Sequence, residues 1–404
     1  MLIAGFIFAE MRYHSYLNSA KKIIESYKGN VPFSFFLKKY FGANKKHGSK
    51  DRKQIATLCY NFYRLGKAMP DGLVEEKFFT GTFLCEHTYN HFLHFHKPEW
   101  NELIGKPLTE KISFLGFKFE NIFPGGNELS DGIDHKQYCL SFFDQPDLFI
   151  RIRPGKKNIV LKKLHDAGLK FEMPGEDYIA LTNAAKLDTI LELDKEVVVQ
   201  DYNSQKVLDF FKNSFTAFNL PLSVWDCCAA SGGKSILAYD IMQGKIDLTV
   251  SDIRESILAN LTKRFETAGI KNYKSFIADL SINLHPAGQV GFQSPILNFQ
   301  LIICDTPCTG SGTWSRTPEQ LYFFKEKLIA AYADKQKKIV DNIIPHLQTE
   351  GLFLYITCSV FKKENEDIAD YIKEKFHLQL LQMELLKGYD KKADSMFTAV
   401  FIKK

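Results

Sequence analysis

The sequence predicts an α/β protein: a doubly wound, Rossmann-like domain, preceded by a small α+β subdomain and an N-terminal helical domain. Three observations carry this. From about Gln200 onward, short apolar runs alternate with helical patterns, at Ser223–Trp225, Leu248–Val250, Phe276–Ala278, Leu301–Cys304 and Leu352–Ile356. Strands apolar on both faces belong to a parallel sheet covered by helices. The first run leads straight into "DCCAASGGKS" (Asp226–Ser235), whose small residues suit a strand-to-helix turn at a ligand. Upstream, residues 13–69 instead repeat their apolar positions at helical spacing. The chain has 404 residues, 45% of them apolar, which is more than one ordinary core accommodates.

In "DRKQIATLCYNFYRLGKAM" the positions Ile55, Leu58, Cys59, Phe62 and Leu65 share one helix face, with Asp51 near the start and Gly66 near the end. The helical domain is expected over residues 1–140. Its opening "MLIAGFIFAE" is apolar for only eight residues after Met1 and lacks a preceding basic segment, so neither a membrane span nor a signal peptide is expected. Residues 146–200 read strand, turn, helix from Lys157, a stop at Gly168, then strands, giving the α+β subdomain. The doubly wound domain is expected over residues 201–404. One crossover helix stands out in "DIRESILANLTKRFETAGI", with Ile253, Ile257, Leu261, Phe265 and Ala268 on its inner face and a stop at Gly269. The runs "HLQLLQMELL" and "SMFTAVFIKK" are expected to close the chain as an antiparallel edge hairpin.

The net charge of +5 is mild, but basic residues bunch in "KKYFGANKKHGSKDRKQ" (Lys38–Gln54) and "RIRPGKK" (Arg151–Lys157). With 14% aromatic residues these permit nucleic-acid binding, although such runs are also ordinary solvated faces. Eight cysteines at scattered positions are no disulfide scaffold and fit reduced thiols, hence a cytoplasmic protein.

The ending "GKS" resembles the tail of a phosphate-binding loop, yet Cys228 stands where that pattern needs its first glycine. Ala229, Ala230, Gly232 and Gly233 let backbone approach a ligand closely, so the loop reads as a cofactor seat. Twenty residues beyond Gly232, Asp252 ends the second strand, where a carboxylate can accept both ribose hydroxyls of an adenosine-containing cofactor. It would equally serve as a plain helix cap. Asp279 follows the third strand, within reach of an adenine edge, and alone would be a surface aspartate. The fourth strand ends in "IICDTPCTGSGTW" and the fifth in "LYITCSV", bringing Asp305, Pro307, Cys308 and Cys358 to the edge where doubly wound sheets bind ligands. Cys59, Cys85, Cys139 and Cys304 read as buried small hydrophobes. A zinc site lacks any C-x-x-C or spaced histidine pair, so no metal is expected.

Taken together, "DCCAASGGKS", "VSDI", "DTPCTGSGTWSRTPE" and "YITCSVFKKENED" resemble, in order, the motifs of the Sun (NOL/NOP/Sun) family of RNA cytosine-5 methyltransferases, from about Val198 to the C-terminus. "VVVQDYNSQ" is similar to the segment leading into that domain. Residues 146–200 resemble the family's RNA-recognition-like subdomain, and "GSKDRKQIATLCYNFYRLG" the NusB-type helical domain of the bacterial ribosomal RNA member. The chain departs from the family at Ser231, where proline is usual, at Ser235 for threonine, at Thr306 for alanine and at Ser315 for arginine.

The resemblance implies S-adenosylmethionine as cofactor, held by Cys228, Ala229, Ala230, Ser231, Gly232, Gly233, Lys234, Asp252, Arg254, Asp279 and Asp305. It implies catalysis by Cys358, Cys308, Asp305 and Lys234. Carbon 5 of cytosine is a poor nucleophile, so a thiolate must first add at carbon 6. By resemblance Cys358 makes that bond, Asp305 hydrogen-bonds the ring, and Cys308 assists release. The expected partner is RNA, 16S ribosomal RNA above transfer RNA, bound by a monomer with no membrane or metal. A non-catalytic RNA-binding assembly factor on the same fold, or a nicotinamide-dependent oxidoreductase, are the alternatives from other classes.

Overall fold

Helical spacing upstream of residue 146 builds helices, as expected. The computed structural model describes residues 2–183, 185–214, 221–282 and 298–404, excepting the side chains of residues 2–11 and 213–214. From Leu2 the opening apolar stretch therefore lies within a helix, and its side chains lie outside the described residues. One compact unit comprises Met1–Asn127, Asp134–Gln145 and Trp314–Lys325. It contains α1 (Leu2–Ser26), α2 (Phe33–Ala43), α3 (Ser49–Arg64), α4 (Val74–Cys85), α5 (His91–His96), α6 (Pro98–Glu102), α7 (Leu108–Leu115), α8 (His135–Ser141) and, from far downstream, α13 (Pro318–Phe323).

In α3 the anticipated face is buried: Ile55, Leu58, Cys59 and Phe62 point into the unit. The Asp51 carboxylate accepts the Gly48 N–H at 3.0 Å, capping the helix start, and Gly66 beyond the end has φ 51°. Tyr322 and Phe323 of α13 lie against Phe62 and Tyr27, with ring centroids 5.7 and 5.5 Å apart. Gly29 has φ 74°, and a Cβ there would stand 2.8 Å from Phe323 Cγ, so this turn requires glycine twice over.

The second unit comprises Glu128–Ile133, Pro146–Thr313 and Glu326–Lys404. Its smaller sheet joins β1 (Leu148–Ile152), β2 (Phe171–Glu172), β3 (Tyr178–Leu181) and β4 (Val197–Val199) in the order β2-β3-β1-β4, through antiparallel pairs. Helix α9 (Lys157–Asp166) buries Val160 and Leu164 against it and ends before Gly168, at φ 64°. The run Arg151–Lys157 does not present a uniform basic face. Arg151 and Arg153 both reach Asp240, at 2.6 and 2.7 Å, and are largely buried. Their charge is spent within the fold, because a buried carboxylate needs partners.

The larger sheet contains β5 (Leu222–Asp226), β6 (Ile246–Asp252), β7 (Tyr273–Ile277), β8 (Phe299–Asp305), β9 (Leu347–Thr357), β10 (Gln379–Leu386) and β11 (Met396–Ile402), ordered β10-β11-β9-β8-β5-β6-β7. The pairs among β5 to β9 are parallel, whereas β11 runs antiparallel to both β9 and β10. The expected C-terminal hairpin forms, with its second strand inserted and its first at the edge. Besides α10 (Asp209–Ser214), the unit holds α11 (Gly233–Ile241), α12 (Glu255–Ala268), α14 (Lys327–Ile343) and α15 (Glu366–Phe376). Ile236 of α11 and Leu261 and Phe265 of α12 join one core on the sheet. Val340 of α14 and Ile368 of α15 join another.

Two details differ from the sequence reading. The third strand is Tyr273–Ile277, so Ala278 lies beyond its end. In α12 the buried set is Leu258, Leu261, Phe265 and Ala268, while Ile253 is 49% exposed and precedes the helix. The chain is still in the strand-to-helix loop at Ile253, so the helical register starts later than the apolar spacing implied.

Candidate active site

Strand order reverses between β5, which continues to β6, and β8, so loops at their carboxyl ends part and leave a crevice. Into it runs the loop Cys227–Gly232. Ala230 has φ 46° and Gly232 φ 83°, left-handed conformations that turn strand into helix within a few residues. A Cβ on Gly232 would stand 2.7 Å from Phe265 Cε1, so glycine lets the loop pack on α12. The Ala229 N–H donates to the Ser251 carbonyl at 2.9 Å and the Ala230 N–H to Asp252 Oδ2 at 3.1 Å.

Asp252 ends β6 and is almost fully buried. It accepts the Arg254 N–H at 2.9 Å, and the Arg254 guanidinium grips both its oxygens at 3.0 and 3.2 Å. Burial opposes the charge, but Arg254 and the Ala230 N–H prevail and hold the carboxyl below its ordinary range. Arg254 itself is more than half exposed, so it can swing away when a ligand needs those oxygens. Asp279 accepts the Ser281 N–H and hydroxyl at 2.9 and 2.6 Å, bonds that also lower its pKa.

Lys234, one residue into α11, donates to Asp305 Oδ2 at 2.6 Å. Burial opposes its charge, yet Asp305 beside it raises its pKa, and Cys358 lies within its electrostatic reach. The Cys308 and Cys358 sulfurs are 3.2 Å apart as free thiols. Contact with Cys358, burial and nearby Glu364 push Cys308 well up, keeping it a neutral thiol.

What holds the thiols together is Glu364, fully buried after β9. Its carboxylate accepts the Thr309 N–H and hydroxyl at 2.9 and 2.6 Å, the Ser359 hydroxyl at 2.7 Å and the Gln336 amide at 3.1 Å. Thr309 follows Cys308 and Ser359 follows Cys358, so one carboxylate fixes both loops. Gly312 completes the arrangement: its N–H donates to the Cys358 carbonyl at 2.8 Å, and a Cβ there would lie 2.0 Å from the Ser395 carbonyl oxygen.

Two cavities adjoin these groups. The larger, of about 400 Å³, is lined by Asp252, Ile253, Arg254, Asp279, Leu280 and Pro307. The other, of about 290 Å³, is lined by Gly233, Lys234, Ser231, Arg264, Thr313 and Met396. Cys228, Ala230, Asp305 and Cys358 line both, while Cys308 lines only the larger and Ala229 only the smaller. Gly232 lines neither and serves packing. Among the described residues no cluster of three or more His, Cys, Asp or Glu could hold a metal, and no helix is long and apolar enough to cross a membrane.

The sequence alone gives no role to Asp226, Glu364, Gln336 or Gly312; the signal for Glu364 is its place in "KKENED" after the Cys358 strand. Asp226 is fully buried at the end of β5, accepts the Ser235 hydroxyl at 2.5 Å, and leaves Oδ1 without a hydrogen-bond partner among the described residues. Burial raises it to about 7. Serine at 235 thus keeps the hydroxyl that threonine would offer.

The family described as "16S rRNA methyltransferase RsmB/F" matches residues 221–401. Ribosomal RNA small subunit methyltransferase B of Salmonella paratyphi A is 29% identical over 211 residues, half of this chain and 45% of that protein. Its Escherichia coli K12 counterpart is 27% identical over 230 residues, 55% of this chain and 49% of that one. The chain thus spans about half the length of the curated relatives it matches. The crystal structure of PH0851 superposes with a TM-score of 0.68 at 16% identity, covering 95% of this chain and 97% of that one, which is a likeness of fold alone. Residues 221–401, which carry the paired thiols and the carboxylate-lined crevice, are thus similar to the 16S rRNA methyltransferase RsmB/F family.

Proposed function

We propose that this protein transfers a methyl group from S-adenosylmethionine to carbon 5 of a cytosine in RNA, with 16S ribosomal RNA as the substrate. The observation that carries this is the pair of free thiols 3.2 Å apart beside the Lys234–Asp305 ion pair. A nicotinamide enzyme has no use for two thiols there, nor has a binding protein. The residues also fit the cofactor. The larger cavity of about 400 Å³ falls within the range of about 300–1,000 Å³ usual for small-molecule sites and is bordered by Asp252, which would accept ribose hydroxyls, and Asp279, which would accept an adenine amine.

Bound S-adenosylmethionine would supply the electrophilic methyl group; the remaining work falls to side chains. Cys358 adds to carbon 6 of the cytosine as thiolate, which makes carbon 5 nucleophilic. The Lys234 ammonium stabilises negative charge beside it, and Asp305, anchored by Lys234, hydrogen-bonds the ring. Once the carbon 5 proton leaves to solvent, its electron pair re-forms the ring double bond and breaks the bond from carbon 6 to Cys358, whose departing sulfur the neutral Cys308 S–H, 3.2 Å away, stabilises as donor. The base would enter through the smaller cavity, which meets the larger at Asp305 and Cys358. A target base must leave its stack to reach so recessed a site.

The exposed lysines of the run Lys38–Gln54, at 38, 39, 45, 46, 50 and 53, support RNA binding by the helical residues, proposed as a NusB-like domain over residues 1–140. A small RNA-recognition-like subdomain over 146–200 and the methyltransferase domain over 201–404 complete that assignment, for a cytoplasmic monomer. Incubating the protein with labelled S-adenosylmethionine and separate 16S and transfer RNA transcripts tests this. Label in 5-methylcytosine of 16S RNA is expected; label in transfer RNA alone would refute the substrate, and no label in either would refute the activity.

A further inference from the structure

We propose that Arg264 is a positioning residue for the cofactor loop and acts through Ser231. Arg264 projects from α12 with its guanidinium divided between two partners. Nε and Nη2 grip the Asp194 carboxylate at 2.9 and 2.7 Å, and Nη1 donates to the Ser231 carbonyl at 2.9 Å and to its hydroxyl at 3.0 Å. Asp194 is itself held, at φ 64°, by its N–H on the Val197 carbonyl and by Arg153 on its own carbonyl. A guanidinium anchored two-fold to one carboxylate has little freedom, so it gives Ser231 a fixed point.

The loop needs such a point. Ser231 lies between Ala230 and Gly232, both left-handed, and residues with side chains keep that conformation only where their surroundings over-determine it. From the sheet side the loop is held by the Ala229 and Ala230 N–H groups on Ser251 and Asp252. From the other side the described hydrogen bonds to Ser231 come from Arg264. A proline at this position would restrict its own φ without outside help; with serine there, the Arg264–Asp194 clamp supplies the restraint.

The inference rests on the reading that the loop seats S-adenosylmethionine. Arg264→Leu, with no donors, should weaken S-adenosylmethionine binding by calorimetry about tenfold or more and raise its KM accordingly. Arg264→Lys should fall between. Adding Ser231→Pro to Arg264→Leu should restore most of the lost affinity, a rescue that a merely destabilised helix would not show. Wild-type affinity in Arg264→Leu, or lost affinity that Ser231→Pro leaves uncorrected, would overturn the clamp. If Arg264→Leu fails to fold, Arg264→Lys with and without Ser231→Pro decides by the same readouts. A wild-type protein that binds no S-adenosylmethionine would instead overturn the proposed function.

Discussion

Asp226 gives stability a pH dependence that one substitution should remove. Burial is the main cause that lifts its carboxyl from 3.8 to about 7, opposed by the Ser235 hydroxyl and helped by Asp305. A carboxyl with a folded-state pKa above its unfolded value binds more protons when folded between those two pH values. Stability is therefore lost as pH rises through that window, and the loss is complete above about pH 7. At about 1.36 kcal/mol per pKa unit the full cost is about 4 kcal/mol, of which about 3 kcal/mol accrues between pH 5 and pH 8. Asp226→Asn keeps the shape and an oxygen for Ser235 but cannot ionise. By thermal melting, its advantage over wild type should widen from pH 5 to pH 8 by roughly 5–10 °C, at about 2–4 °C per kcal/mol for a unit of this size. Parallel pH profiles for the two proteins would show that Asp226 ionises without cost in the folded state.

Two further outcomes are expected. Asp252→Ala removes the acceptor proposed for ribose and orphans the Ala230 N–H, and hydrogen bonds to charged groups contribute about 1.5–3 kcal/mol each, so S-adenosylmethionine should bind at least about tenfold more weakly by calorimetry. Unchanged affinity would remove Asp252 from the site. Gly312→Ala puts a Cβ 2.0 Å from the Ser395 carbonyl oxygen, which is backbone and cannot give way cheaply. It should lower stability by about 1–3 kcal/mol in denaturant melts and depress activity with it, since Gly312 also holds the Cys358 carbonyl.

Legibility followed sequence distance. The parallel strands were readable because each is a local apolar run, and Asp252, Asp305, Cys308 and Cys358 because a strand end fixes where the next residue emerges. The Glu364 hub was not readable: its four donors come from Thr309, Gln336 and Ser359, whose convergence depends on how α14 and β9 pack. Arg151 and Arg153 sat in a basic run, and only the fold shows Asp240 waiting for them. Nothing in the local pattern of Trp314–Lys325 announces that it packs with α3, because its aromatic residues suit any core. The α12 register slipped because Ile253 and Ile257 extend an apolar ladder that the chain does not use: Ile253 borders the larger cavity instead.

The two neighbouring sulfurs are proposed to do different jobs, Cys358 bonding to the base and Cys308 releasing it. Wild type, Cys358→Ala and Cys308→Ala, each incubated with S-adenosylmethionine and 16S RNA and resolved on a denaturing gel, test it directly. Methylated RNA without lasting adduct is expected for wild type, neither product for Cys358→Ala, and an accumulating protein–RNA adduct for Cys308→Ala. An adduct in Cys358→Ala and none in Cys308→Ala would contradict it.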